Sequence, residues 1–297
     1  MSTEPRRVST FLDVPVCMHR RATALFGVLE VPFERTVSYG GGTARGPQAI
    51  LKASQYVEEF DGRSIPARAG IWVAPPVNAR GNADAVFARI FRSVSSLLAE
   101  GKIPVILGGE HSITAPCVKA VSIHHGPVGV VQFDAHSDLR MSYEGSKASH
   151  ACVMRRILEM GCPLFQVGIR AFSEDDPDVR RRYKVHSLDA EAIRKGGIPR
   201  TLLPAAFPEK IYLTFDVDAF DSSLMPATGT PEPGGLTWDQ TITILERILP
   251  GRQIVAFDIV ELAPINGFHA PDFAAAKLAY AIMGMIVAGR RRTQGRS

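Results

Sequence analysis

Only four cysteines occur in 297 residues, Cys17, Cys117, Cys152 and Cys162, and no two of them form a CxxC pair. That pattern excludes a secretory disulfide framework and predicts free thiols in a reducing compartment. Long apolar runs are equally scarce. No stretch of about 18 uninterrupted apolar residues is present, so no membrane span is expected. Met1 to Asp13 is polar and lacks the apolar centre of a signal peptide, which points to a cytoplasmic protein. The net charge of +4 is small for the length, and the arginine groups, such as Arg180-Arg181-Arg182, are scattered, so no nucleic-acid partner is expected. Gly40-Gly41-Gly42 lacks both a following Gly-Lys-Ser/Thr and a strand directly before it. It reads as a glycine-rich turn rather than a phosphate loop.

With 45% hydrophobic and 22% charged residues the chain can bury a sizeable core. Val86, Phe87, Ile90, Val94, Leu97 and Leu98 share one helix face, and Gly101 ends that helix before an apolar run from Ile103 to Leu107. Strand-length apolar runs recur at Val128 to Phe133, Leu164 to Val167, Ile211 to Phe215 and Ile254 to Phe257, and helices are predicted at His150 to Met160, Trp238 to Leu249 and Phe273 to Val287. Near-continuous apolar strands alternating with helices predict an α/β fold with a parallel sheet covered on both faces. No repeat or linker divides it. A single domain over 1–297 is expected, with its core at about 24–289 and a frayed basic tail at 290–297.

The chemistry-bearing residues follow the strands. Asp134, His136 and Asp138 come after one apolar run, Asp216 and Asp218 after another, and His111 after Gly108-Gly109-Glu110. Residues i, i+2 and i+4 of an extended segment point the same way, so each cluster can converge on one spot. In open α/β sheets, sites form beyond the carboxyl ends of the strands, where these clusters fall. A single Asp there is readily explained as a helix cap. Three clusters ending three strands are not, because crowded carboxylates repel and desolvate unfavourably without a cation. Four carboxylates and two imidazoles without a thiolate suit a pair of hard divalent ions, Mn²⁺ better than Zn²⁺.

These motifs, together with Thr228-Gly229-Thr230-Pro231-Glu232-Pro233-Gly234-Gly235-Leu236 and Asp258-Ile259-Val260-Glu261, resemble the ureohydrolases, the family of arginase and agmatinase. Val37-Ser38-Tyr39 through Ile50 and Ser149-His150 through Arg156 are most similar to agmatinases. The resemblance implies a three-layer α/β/α fold with a mainly parallel eight-stranded sheet, two Mn²⁺ ions per chain and a homo-oligomer, trimer or hexamer. It assigns one ion to His111, Asp134, Asp138 and Asp216 and the other to His136, Asp134, Asp216 and Asp218, with Asp134 and Asp216 bridging. A hydroxide held between the ions would be the nucleophile. Glu261 would bind the guanidinium by a bidentate, charge-assisted contact. Asp138 would take the proton from the hydroxide, His150 would shuttle it to the departing amine, and Thr230 would touch substrate.

The substrate tail is less determined. After Gly168-Ile169-Arg170 stand Ala171-Phe172-Ser173, with the acids Glu174, Asp175 and Asp176 expected further out, facing water. Arg140 and Met141 stand where arginase-like chains would place a small polar residue for the α-carboxylate. Both features count against arginine and favour agmatine, whose tail ends in an ammonium that Glu144 would suit. An inward Arg140 would instead favour a carboxylate tail such as that of 4-guanidinobutyrate. Two other classes fit these residues less well. A single-ion zinc deacetylase would not need both acidic clusters, and a non-catalytic metal-binding regulator predicts the loss of a ligand, of Glu261 or of His150, all of which are present.

Overall fold

A computed structural model of the chain describes residues 8–294. The unravelling expected at 295–297 and the polar reading of residues 1–7 lie outside these residues. Eight strands form one sheet: β1 (Phe26–Val31), β2 (Ile71–Val73), β3 (Ile103–Gly108), β4 (Gly129–Phe133), β5 (Leu164–Val167), β6 (His186–Leu188), β7 (Lys210–Asp216) and β8 (Gln253–Val260). Their order is β2-β1-β3-β8-β7-β4-β5-β6, and every neighbouring pair is parallel. Among the described residues the eight α-helices are α1 (Gly46–Ser54), α2 (Ala83–Ala99), α3 (Thr114–His125), α4 (Val153–Glu159), α5 (Asp176–Tyr183), α6 (Ala190–Gly196), α7 (Trp238–Ile248) and α8 (Ala270–Gln294).

Strand alternation divides the core in two. Val105 and Leu107 face one cluster with α1, α7 and α8, whereas Ile106 faces another with α2, α3 and α4. Val131 and Phe133 likewise oppose Val130. The sheet is therefore buried on both faces, which is why its central strands read as continuous apolar runs. Phe133 and Phe215, opposite one another in the β4/β7 register, stack at 5.1 Å with no solvent exposure. Burying each ring contributes about 2–3 kcal/mol.

Three strands and four helices went unpredicted. β2 and β6 have three residues each, and the first two residues of β6 are exposed, so neither leaves an apolar run to read. The helix expected from His150 begins as a 3-10 turn, His150–Cys152, before α4. Residues 290–294 belong to α8 rather than to a frayed tail. By length and composition α8 is also apolar enough to cross a bilayer, but Leu278, Ala279, Tyr280, Ile282 and Met283 are fully buried against the sheet layer.

Candidate metal centre

The four central strands, β3, β8, β7 and β4, deliver the clusters to one end of the sheet. His111 opens a 3-10 turn after β3, and Gly109 just before it lies against the carbonyl of Phe33, which a Cβ would meet at 2.0 Å. Only glycine lets the chain bring His111 in so closely. The ring Nδ1 lies 3.1 Å from Asp134 Oδ2, 3.2 Å from Asp138 Oδ2 and 3.4 Å from Asp216 Oδ2. His136 Nδ1 lies 3.0 Å from Asp218 Oδ2 and 3.6 Å from Asp134 Oδ1. Two three-residue groups therefore form, His111 with Asp134 and Asp216, and Asp134 with His136 and Asp218, sharing Asp134.

The route to this convergence differs from simple strand alternation. Asp138 has φ 54°, so the chain turns there and swings its carboxylate back. Asp218 sits in a 3-10 turn, Val217–Ala219, where its backbone N–H donates to Asp216 Oδ1 at 2.9 Å. Arg170 braces the same loop by donating to the carbonyls of Asp218 (2.8 Å), Phe220 (3.2 Å) and Glu232 (2.7 Å). Nothing in the sequence marks that clamp.

Crowded acids need a counter-charge. Burial, then Asp218 and Asp134, hold Asp216 well above the usual carboxylate range, and burial, then Asp134, raises Asp138. Burial opposes the charged form of His136, yet its contacts with Asp134 and Asp218 push it up to about 12. In metal-free protein, protons on the histidines supply the cation. The buried Nδ1 of His111 has no contact that meets hydrogen-bond geometry, although three carboxylates surround it. Its Nε2 is 2.8 Å from the buried Thr214 Oγ1, the usual way a ligating imidazole keeps its other nitrogen free for an ion. A buried imidazole nitrogen with no hydrogen-bond partner, facing shared carboxylates, fits a divalent cation pair that would take the place of its proton, the requirement of the family this donor set resembles.

Glu261 ends β8 at φ 65°, a strained conformation for a non-glycine residue, and accepts from the backbone N–H of His111 at 2.6 Å. Burial, with Glu110 and Asp218 nearby, holds its carboxyl well above the ordinary range, so it gains by meeting a cation. It lines a cavity of about 30 Å³ together with His136, Asp138, Asp216, Asp218, His150 and Thr230. The strip from Thr36 to Gly40 lines it too, although in the sequence nothing but its likeness to agmatinases marks this segment.

Of the residues considered for the substrate tail, only Asp176 departs from expectation. Arg140 is exposed, with its guanidinium over the Tyr143 ring at 5.6 Å, and is not among the cavity's lining residues. Glu174 and Asp175 are exposed as expected, but Asp176 is fully buried. It accepts from Ser137 Oγ, from Ser173 N at 2.7 Å and from Ser173 Oγ at 2.5 Å, and so braces the turn after His136.

Comparison with known proteins agrees with this geometry. The arginase-family profile matches residues 24–284, and the chain belongs to that family, hydrolases acting on amidino groups. It is 36% identical to an N(1)-aminopropylagmatine ureohydrolase of Synechocystis sp. over 89% of each chain. It is also 36% identical to an agmatinase of Pyrococcus horikoshii, covering 87% of this chain and 90% of that one. The crystal structure of an agmatine ureohydrolase of Thermoplasma volcanium superposes with TM-score 0.80 at 31% identity, over 91% of this chain and 92% of the other.

Proposed function

We propose that the protein is a Mn²⁺-dependent ureohydrolase that converts agmatine to putrescine and urea. The observation carrying this reading is the meeting of His111, Asp134, Asp138, Asp216, His136 and Asp218 in one cluster, four of which, His136, Asp138, Asp216 and Asp218, line a cavity with Glu261, in a chain of the arginase family. His111, Asp134, Asp138 and Asp216 would hold one ion and His136, Asp134, Asp216 and Asp218 the other. The ions supply a water of lowered pKa and Lewis acidity.

The remaining work falls to the chain. Glu261 orients the guanidinium by charge and by paired hydrogen bonds, which sets the central carbon at attack distance. Asp138, itself a member of the ligand cluster, accepts the proton that the attacking water gives up. His150 returns a proton to the nitrogen that leaves. Thr230 contacts the guanidino group from the opposite loop, and Arg140, stacked on Tyr143, stays outside the cavity lining.

A second substrate, N(1)-aminopropylagmatine, is favoured by the names of several relatives, among them a 39% identical protein of Thermus thermophilus. It presents the same guanidine, and its tail carries a secondary ammonium and a further amine. Urea release from agmatine, N(1)-aminopropylagmatine, arginine and 4-guanidinobutyrate under equal Mn²⁺ loading separates these readings. Hydrolysis of none of the four would sink the proposal.

A further inference from the structure

Glu110 precedes His111, is 1% exposed and lines the same cavity, with its carboxylate bonded to the loop after β1. Its Oε2 accepts from the backbone N–H of Arg35 and from that of Thr36 at 2.7 Å, and its Oε1 accepts from Ser112 Oγ at 2.5 Å and from Thr36 Oγ1 at 2.8 Å. Four donors on two oxygens is the environment of a carboxylate. Thr36 Oγ1 also lies 2.9 Å from His150 Nδ1 and accepts from the His150 backbone N–H at 3.2 Å. On the far side of the ring, Nε2 lies 3.0 Å from Ser38 Oγ.

A hydroxyl has one proton. Thr36 gives its proton to Glu110, so at Nδ1 it can only accept, and the imidazole proton must sit on Nδ1. The neutral ring then carries its lone pair on Nε2, toward which Ser38 Oγ–H donates. Ser149 Oγ, 3.5 Å from Nδ1, does not alter this count because it too can accept there.

We propose that Glu110 and Thr36 are positioning residues that lock His150 in the Nδ1–H tautomer, making Nε2 the atom that carries the proton, with Ser38 its resting partner. This rests on the reading of His150 as the proton shuttle. In one turnover Nε2 takes up one of the two protons of the consumed water. It passes that proton to the nitrogen as the bond from the guanidinium carbon to that nitrogen breaks, and the ring returns to the same tautomer. The arrangement parallels the way a buried carboxylate orients a catalytic histidine, with a threonine hydroxyl interposed.

The test is nitrogen NMR of metal-free protein carrying ¹⁵N-histidine, with the His150 signals assigned by their loss in His150→Gln. The expected result is a pyrrole-type Nδ1 and a pyridine-type Nε2, and in Thr36→Val a shift toward the Nε2–H form. With Mn²⁺ restored, Thr36→Val should lose about 10–100-fold in kcat with KM for agmatine and metal content held, the range typical of partners that orient a functional histidine. Thr36→Ser should recover most of that loss. A wild-type ring protonated at Nε2, or a tautomer unmoved by Thr36→Val, overturns the positioning role even if the shuttle is intact. Full turnover in His150→Gln overturns the shuttle reading itself, and with it the catalytic half of this proposal.

Discussion

Thr214→Val should weaken Mn²⁺ binding, although the residue touches no ion in the proposed centre. Thr214 is fully buried in β7, and its Oγ1 lies 2.8 Å from His111 Nε2, where it accepts the ring N–H whenever Nδ1 is the atom that meets an ion. Valine has nearly the same shape and cannot accept. With no solvent reaching the position, the imidazole must either leave a buried N–H unpaired or move its proton to Nδ1. An unpaired buried donor costs about 1–3 kcal/mol. Moving the proton places Nδ1–H among Asp134, Asp138 and Asp216, which satisfies the metal-free protein but blocks the lone pair an ion needs. Either route raises the Mn²⁺ dissociation constant, by about 10–100-fold, or about 1.4–2.7 kcal/mol. Calorimetric titration of stripped protein measures it, and the rise in melting temperature caused by saturating Mn²⁺ should shrink in parallel. Thr114→Val is the comparison. Thr114 Oγ1 donates to Asp258 at 2.7 Å rather than to the histidine, so it should lower stability with a smaller change in metal affinity. A folded Thr214→Val protein with unchanged Mn²⁺ affinity would refute the reasoning.

Metal analysis of Mn²⁺-loaded protein should approach two ions per chain, and Asp134→Asn, which alters the carboxylate shared by both groups, should impair both sites; full occupancy there would show that Asp134 does not bridge. Glu261→Gln should keep the metal and lose about 2–5 kcal/mol of transition-state binding, a loss in kcat/KM of about 30-fold to several thousand-fold, since a buried charge pair loses one partner. Loss of metal in that variant would instead make Glu261 a ligand. In stripped protein, the histidine contribution to stability is complete below about 6.5, the ordinary histidine value, and is lost as pH rises toward the value near 12 of folded His136. Asp216 and Glu261, held above their ordinary range, have the same sign, losing stability as pH rises past that range. The stabilisation conferred by Mn²⁺ should therefore grow between pH 6 and pH 9, and melting curves showing a constant or shrinking increment would contradict this. Arginine should be a far poorer substrate than agmatine, and equal kcat/KM for the two would show that the tail pocket holds partners for the α-carboxylate.

What the sequence made legible was set by burial. Strands covered on both faces leave apolar runs, and an acid directly after such a run stands out, so β3, β4 and β7 and the six clustered acids and histidines could be read together. β1 is equally buried, but Gly27 and Glu30 interrupt its run, so neither the strand nor the loop it feeds stands out in the sequence. That loop holds Thr36 and Ser38, the hydroxyls on either side of His150. Thr214 was hidden in the opposite way, because within a buried strand a threonine reads as one more β-branched core residue. Arg140 shows the limit for charged side chains, whose long stems let the head group settle on Tyr143 as easily as in the cavity. Asp138 and Glu261 show the limit for backbone. Each reaches the cavity from a left-handed conformation that no pattern of residue types announces, and Glu261 holds it while accepting from the His111 N–H. The strain and the hydrogen bond belong together: the bond ties the turn ending β8 to the turn ending β3, so the candidate guanidinium carboxylate is held in register with a candidate ligand. A residue's type can suggest what it binds, but the protons and turns that aim it depend on partners far away in the chain.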